Sequence, residues 1–350
     1  MSTDTAAKEK EQIAQEGVQH DQNHRAQDTK KSLIIILGLP IVVALMLLAF
    51  LAPTLNSGAK DLPLAIAGPD ATVAQMEGAI GEHTDDAGNK VFEVQTYADD
   101  AAVQDAIMSG DAIGGIVLNP TGIEVYTASG AGAVYGNLLT ALGQGLEAQG
   151  QVVHYTDVAP RPAADPNGVA LSTLALPLAF GGMVAGVAIS LVLSKRYGLK
   201  MATVLAYSLL AGFVLTAVVQ ICFDALDGNF WRTSLALSLG IAAISAFVVG
   251  CHSLLGAPGI ALGAVLMIFI SNPLSGLANG WKWLPEPWGM IGQFMPIGAT
   301  GNRLRSIVYF DGRADGFSIW VLLAWLLVGL CLIGAKWYKH NKEQRVAVAQ

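Results

Sequence analysis

Charge is the scarcest commodity in this sequence: only 13% of its 350 residues are Asp, Glu, Lys or Arg, while 53% are hydrophobic. Soluble domains carry about 25% and about 45–50% respectively, so an ordinary soluble protein is excluded as the description of the whole chain. A basic field is missing too. The formal charge is −7, which excludes nucleic acid as a partner held by net charge. Cysteine is rare, and Cys222, Cys251 and Cys331 all lie within apolar runs without CxxC or Cys/His spacing. Neither a disulfide framework nor a zinc site follows from that pattern. No GxxxxGK[ST], GxSxG, HExxH or kinase signature occurs, so no catalytic residue and no cofactor is assigned, and the chain has no P-loop with which to bind its own nucleotide. His83 with Asp85 and Asp86 is the nearest approach to a metal cluster. In a Gly/Asn-rich loop this reads as a solvated turn, and no metal is assigned.

What the chain has instead is long apolar runs. A bilayer core of roughly 30 Å takes about 20 apolar residues as a helix, because lipid cannot satisfy open backbone groups. Six runs qualify: Leu33 to Ala52, Val169 to Leu193, Met201 to Phe223, Thr233 to Leu255, Pro258 to Leu277 and Phe317 to Ala335. The fifth is interrupted by Asn272 and Pro273, which predict a kink or an early end. The fold class expected is a polytopic α-helical membrane protein of the cell membrane. Short flanks rich in Lys and Arg stay in the cytoplasm. Lys30 and Lys31, then Lys195, Arg196 and Lys200, then Lys336, Lys339, Lys342 and Arg345 all satisfy that rule with both termini inside. Apart from His252, the runs carry no Asp, Glu, Lys, Arg or His, which speaks against proton- or ion-coupled transport. Gly182 and Gly186 form a GxxxG, a signal for tight helix contact and a possible homo- or heterodimer.

The runs divide the chain. Residues 1–32 form a polar tail with five basic and six acidic residues and no helical stripe, read as disordered. Residues 53–168, between the first and second spans, have the composition of a folded soluble domain with three basic and fifteen acidic residues. Strand-like runs at Leu62 to Ala67, Val91 to Tyr97, Gly115 to Leu118 and Ile123 to Thr127 alternate with helical stretches at Ala71 to Ile80 and Asp99 to Met108. A third helix from Ala131 to Gln149 and an extended Gln151 to Thr156 complete the pattern, which predicts an extracytoplasmic α/β domain without fixing strand order. Residues 169–335 form the remaining five-helix bundle, and 336–350 a cytoplasmic tail.

The segment before the last span is the most distinctive. Its apolar stretch Trp288 to Pro296 is too short to cross a bilayer and too hydrophobic for a free loop, so residues 281–316 are read as a re-entrant or interfacial element at the outer leaflet. Trp288, Pro296, Arg303, Arg305 and Asp311 are its candidate lip, with the arginines at headgroup depth facing lipid phosphate or Asp311.

Several stretches also resemble a known family. They are Asn272-Pro-Leu-Ser-Gly, Leu284-Pro-Glu-Pro-Trp-Gly, Met295-Pro-Ile-Gly-Ala and Arg303-Leu-Arg-Ser-Ile-Val-Tyr-Phe-Asp-Gly, together with Leu62-Pro-Leu-Ala-Ile-Ala and Asp111-Ala-Ile-Gly-Gly-Ile-Val-Leu in the soluble domain. With the order of anchor, domain and five spans, they resemble the membrane subunits of type-2 ABC exporters, especially the related phage-infection-protein-like (YhgE/Pip) membrane proteins of Gram-positive bacteria. The resemblance implies a permease for a hydrophobic or amphipathic compound, energised by a separate P-loop ATPase. That ATPase would dock on the inner loop containing Lys195, Arg196 and Lys200. The alternative expectation is an envelope scaffold or surface receptor whose acidic domain binds a protein.

Overall fold

The computed structural model describes residues 2–81, 84 and 88–349 and, of their side chains, those from 29 to 347; the His83, Asp85 and Asp86 turn lies outside the described residues. The first helix, α1 (Ser2–Leu55), begins far upstream of its apolar run. This corrects the expectation of a disordered tail. Ala, Lys, Glu and Gln dominate the segment and are strong helix formers. The apolar run behind it supplies a nucleus, so extension adds hydrogen bonds without a second nucleation cost.

Among the described residues, five helices are long and apolar enough to cross a membrane: Thr29–Leu55, Val169–Val192, Tyr197–Cys222, Phe230–Leu255 and Ser318–Ala347. Pro258 to Leu277, expected as a sixth, is not one of them. Its apolar helix is Ala257–Ser271, about 22 Å long at 1.5 Å per residue, short of a bilayer core of about 30 Å.

The soluble domain is a five-stranded mixed sheet in the order β2-β1-β3-β4-β5, built from β1 (Leu62–Ala67), β2 (Phe92–Thr96), β3 (Gly115–Asn119), β4 (Gly122–Thr127) and β5 (Val153–Asp157). β1 lies parallel to both β2 and β3, β3 and β4 form an antiparallel hairpin, and β5 runs parallel to β4. Each parallel pair needs a crossover, supplied by α2 (Asp70–Gly81), α3 (Asp100–Ser109) and α4 (Ala133–Ala148). Period-two alternation assigns the faces. Leu62, Leu64 and Ile66 of β1 pack with Val73 and Ile80 of α2 and with Leu139 and Leu146 of α4. Ala65 and Ala67 point to the opposite face, where Val103, Ala106 and Ile107 of α3 pack, in a core continuous with the membrane bundle. α3 carries its caps in sequence: Asp99 accepts the Ala102 N–H at 2.9 Å, and Gly110 closes the helix in the left-handed region.

The bundle comprises α5 (Val169–Thr173), α6 (Ala175–Val192), α7 (Tyr197–Thr216, extended as π-helix to Cys222), α8 (Phe230–Leu255), α9 (Ala257–Ala264, extended as π-helix to Ser271), α10 (Trp288–Gln293), α11 (Pro296–Tyr309) and α12 (Ser318–Ala349). α8 is its axis. Helices α6, α7, α11 and α12 all pack against it, and small residues let them approach. A Cβ on Gly182 would stand 2.7 Å from Ile244, and one on Gly186 2.8 Å from Val248. The GxxxG is therefore spent on α6–α8 packing within the chain, and it no longer argues for a dimer. Serines of α8 find acceptors inside the bundle: Ser238 Oγ donates to Ser234 O at 2.7 Å, and Ser245 Oγ donates to Ile241 O at 2.7 Å and lies 3.3 Å from Ser208 Oγ.

Candidate functional site at the broken crossing

α9 with its π-helical extension enters the bundle without crossing it. α8 serves as a ruler for its path. Gly259 sits against Cys251 near one end of α8, and Gly263 against Val248, closer to the middle. The helix stops at Ser271. Pro273 has no N–H to continue the ladder, and its ring would clash with the carbonyl four residues back. The chain then leaves toward the soluble domain, where Gly280 meets Tyr135 of α4. It returns through Pro285–Gln293 and re-enters as α11, with Pro296 in the first turn where a missing N–H costs nothing.

α11 runs back to the domain end of the bundle. Thr300 packs against Gly240 at the midpoint of α8, Ile307 lies beside Gly228 in the α7–α8 turn, and Tyr309 lies against Gly130 of the domain. Ser271 Oγ accepts the Ile297 N–H at 3.0 Å, joining the last residue of one helix to the first turn of the other. The α9 extension and α11 are thus two halves of one crossing, with residues 272–295 inserted at the break. Two glycines permit the return. A Cβ on Gly292 would fall on the Leu274 carbonyl oxygen, and one on Gly298 on the carbonyl of Gly292.

Polar groups gather where the ladder is interrupted. Gln293, fully buried, donates through Nε2 to Ser275 O at 3.2 Å, while its Oε1 has no partner. Arg305 of α11 is buried and donates through Nη2 to Leu277 O at 2.7 Å and to Gly276 O at 3.3 Å, while Nη1 reaches Gly276 O at 3.4 Å. These carbonyls belong to the turn after the broken helix, where Gly276 O also accepts the Gly280 N–H at 2.8 Å. Arg303 takes a different course, pairing with Asp315 at 3.4 Å. Asp315 also accepts the Ser318 N–H at the start of α12.

The expected lip is therefore not a single surface. Trp288 and Asp311 are exposed, Arg303 is half-buried in its pair with Asp315, and Pro296 and Arg305 are inside the bundle. In place of Asp311, Arg305 meets the Gly276 and Leu277 carbonyls, acceptors that the break leaves within reach of a long donor from α11. Nothing in the sequence flagged Gln293, Ser271 or Lys282. A glutamine and a serine each beside a helix-breaking proline were the available signals.

The domain is fastened over this region. Lys282 Nζ donates to Gly110 O at 2.9 Å and stands over the Trp281 ring. Arg313 pairs with Asp105 of α3, the Gly58 N–H donates to Trp283 O at 3.1 Å, and Tyr135 meets the Trp283 ring edge-on. Burial lowers the Lys282 pKa, with Asp111 acting in the opposite sense, and burial raises that of the Tyr135 phenol. Below Lys282 a cavity of about 80 Å³ lies between domain and bundle. The domain also carries a groove of about 690 Å³ between α2 and α4, floored by Met76, Phe92, Leu118 and Leu142. Among the described residues no cluster of His, Cys, Asp or Glu is placed to hold a metal ion.

At the opposite end of α8, the turn between α6 and α7 presents Lys195 and Arg196 to solvent. Lys200, grouped with them in the sequence, is 1% exposed, its ammonium 5.5 Å from the centre of the Tyr197 ring. One turn into α7 its side chain points back along the helix into the bundle, so a docking surface here retains only the first two. Cysteines introduced at Lys195 and Arg196 are expected to react with a membrane-impermeant maleimide within minutes in detergent, and one at Lys200 at least tenfold more slowly. Equal rates at all three would contradict the burial. In intact cells, reaction from outside would reverse the expected orientation.

No protein-family model, curated protein or solved structure matches this chain.

Proposed function

We propose that this chain is the membrane subunit of an ABC-2 type export system that moves a hydrophobic or amphipathic compound outward through the cell membrane and is energised by a separate ATPase. The broken crossing carries the proposal. In transporters, interrupted helices at mid-bundle supply polar backbone and side-chain groups where unbroken helices would offer none, and they mark substrate paths. Here the interruption lies at the midpoint of α8 and is lined by Ser271, Gln293 and Thr300. The surrounding helices bear few ionisable groups, which suits an apolar cargo. Lys195 and Arg196 offer the ATPase a basic contact on the α6–α7 turn at that end.

The test is purification of the full chain from its own membranes in mild detergent. A P-loop ATPase is expected to co-purify and to be lost with Lys195→Glu/Arg196→Glu. Unchanged efflux of amphipathic dyes in a deletion strain, with no ATPase recovered, would overturn the proposal.

A second reading, a scaffold or receptor without transport, is favoured by the acidic domain and its groove. Ala141 is exposed on the rim of that groove. Ala141→Trp would fill the groove and abolish partner capture in a scaffold, while leaving a transporter's flux intact.

A further inference from the structure

The small cavity between domain and bundle has an unusual lining. Lys282 and Arg305 both border it, with Ser306, Asn302 and Tyr135, and no Asp or Glu is among its lining residues. Two of the nearby carboxylates are paired elsewhere, Asp105 with Arg313 and Asp315 with Arg303; Asp111, which accepts from Ser109 Oγ at 2.6 Å, lies outside the lining and acts on Lys282 alone of the two cations. Arg161 is close enough to Arg305 to add to the positive potential. Arg305 meets only neutral carbonyls, and its Nε has no partner; the buried Ser306 Oγ beside it has none either.

A buried cation left without a counter-charge is costly, and an unmade donor adds to the cost. A strut for the Gly276 and Leu277 carbonyls accounts for the fork of Arg305, but not for a second, half-buried cation, Lys282, bordering the same cavity with no carboxylate in its lining. We infer that the cavity is a binding site for a small oxyanion, a phosphate or the phosphomonoester of a lipid headgroup, held by Lys282, Arg305 and Ser306. The size fits: about 80 Å³ exceeds the roughly 30 Å³ of one water molecule and accommodates a single tetrahedral anion. A guanidinium, an ammonium and a hydroxyl bordering one cavity are donors that such an anion takes. Lys282 already holds the domain through Gly110, so an anion here would draw domain and bundle together. The site stands whether or not the chain transports anything.

The experiment uses the full chain in lipid-depleted, phosphate-free detergent, followed by tryptophan fluorescence during heating while inorganic phosphate is titrated. A saturable rise in Tm is expected. Lys282→Gln is expected to weaken the apparent affinity at least tenfold, and Ser306→Ala about threefold, consistent with loss of a charged and a neutral hydrogen bond. Lys90→Gln, exposed on the domain, is expected to leave it unchanged. Should Lys282→Gln fail to fold, Ser306→Ala carries the comparison. The same titration is run in phosphatidylcholine nanodiscs containing phosphatidic acid. A response to inorganic phosphate supports a free anion, and a response confined to phosphatidic acid supports a headgroup. No saturable rise in either medium, or equal rises in wild type and both cavity variants, would overturn the inference.

Discussion

Gly292→Ala is expected to be the most damaging single methyl group that can be added to this protein, lowering its stability by about 3–5 kcal/mol. Overpacking usually costs about 1–3 kcal/mol because side chains give way. Here the obstacle is main chain: the new Cβ would coincide with the Leu274 carbonyl oxygen, in a turn fixed on one side by Ser271 and on the other by α10. Relief requires pulling the returning segment out of the bundle, which also unseats Gln293 from Ser275 O. Gly334→Ala in α12 is the matched control. Nothing lies within 4 Å of its prospective Cβ, so the substitution is expected to gain about 0.5–1 kcal/mol from helix propensity alone. Unfolding by SDS in mixed micelles, followed by tryptophan fluorescence, measures both. Two changes of the same sign and size would mean that residues 272–295 do not return into the bundle.

Arg305→Ala is expected to cost about 2–3 kcal/mol, and the sign is a contest. Removing a buried guanidinium refunds its desolvation, which in other proteins makes such replacements neutral or favourable when the new side chain packs well. Against that, Leu277 O loses a charge-assisted hydrogen bond of 2.7 Å, worth about 1.5–3 kcal/mol, and alanine leaves a void beside a cavity that already exists. Gly276 O suffers less, because it also accepts the Gly280 N–H at 2.8 Å. Arg305→Lys keeps a charge but not the fork that spans two carbonyls, and about half the loss is expected. Stability of Arg305→Met equal to or above wild type in the same assay would show that desolvation outweighs the carbonyl contacts.

These effects follow from a part of the molecule that local sequence describes poorly. α6, α7, α8 and α12 were legible because twenty or more apolar residues in a row have only one inexpensive solution in lipid. The strands and helices of the domain were legible from alternation and caps, down to Asp99 and Gly110 around α3. The strand order was not, since pairing β1 with both β2 and β3 depends on contacts distant in sequence. GxxxG gave a correct reading of close packing but not of the neighbour, which is α8 of the same chain, because a glycine pair reports a near neighbour without saying which helix it is.

Sequence alone determined that the chain has long apolar helices, that a soluble α/β domain is inserted after the first, and that Asn272-Pro273 interrupts a run. Tertiary structure decided what the interruption becomes. Residues 281–316 read as a re-entrant or interfacial element with both arginines at headgroup depth, yet Arg305 of α11 is inside the bundle, because the broken helix frees carbonyls that it satisfies and the domain covers the end that Arg303 and Asp315 tie down. A buried charge is tolerated only where distant backbone meets it with acceptors, and no local pattern encodes that meeting.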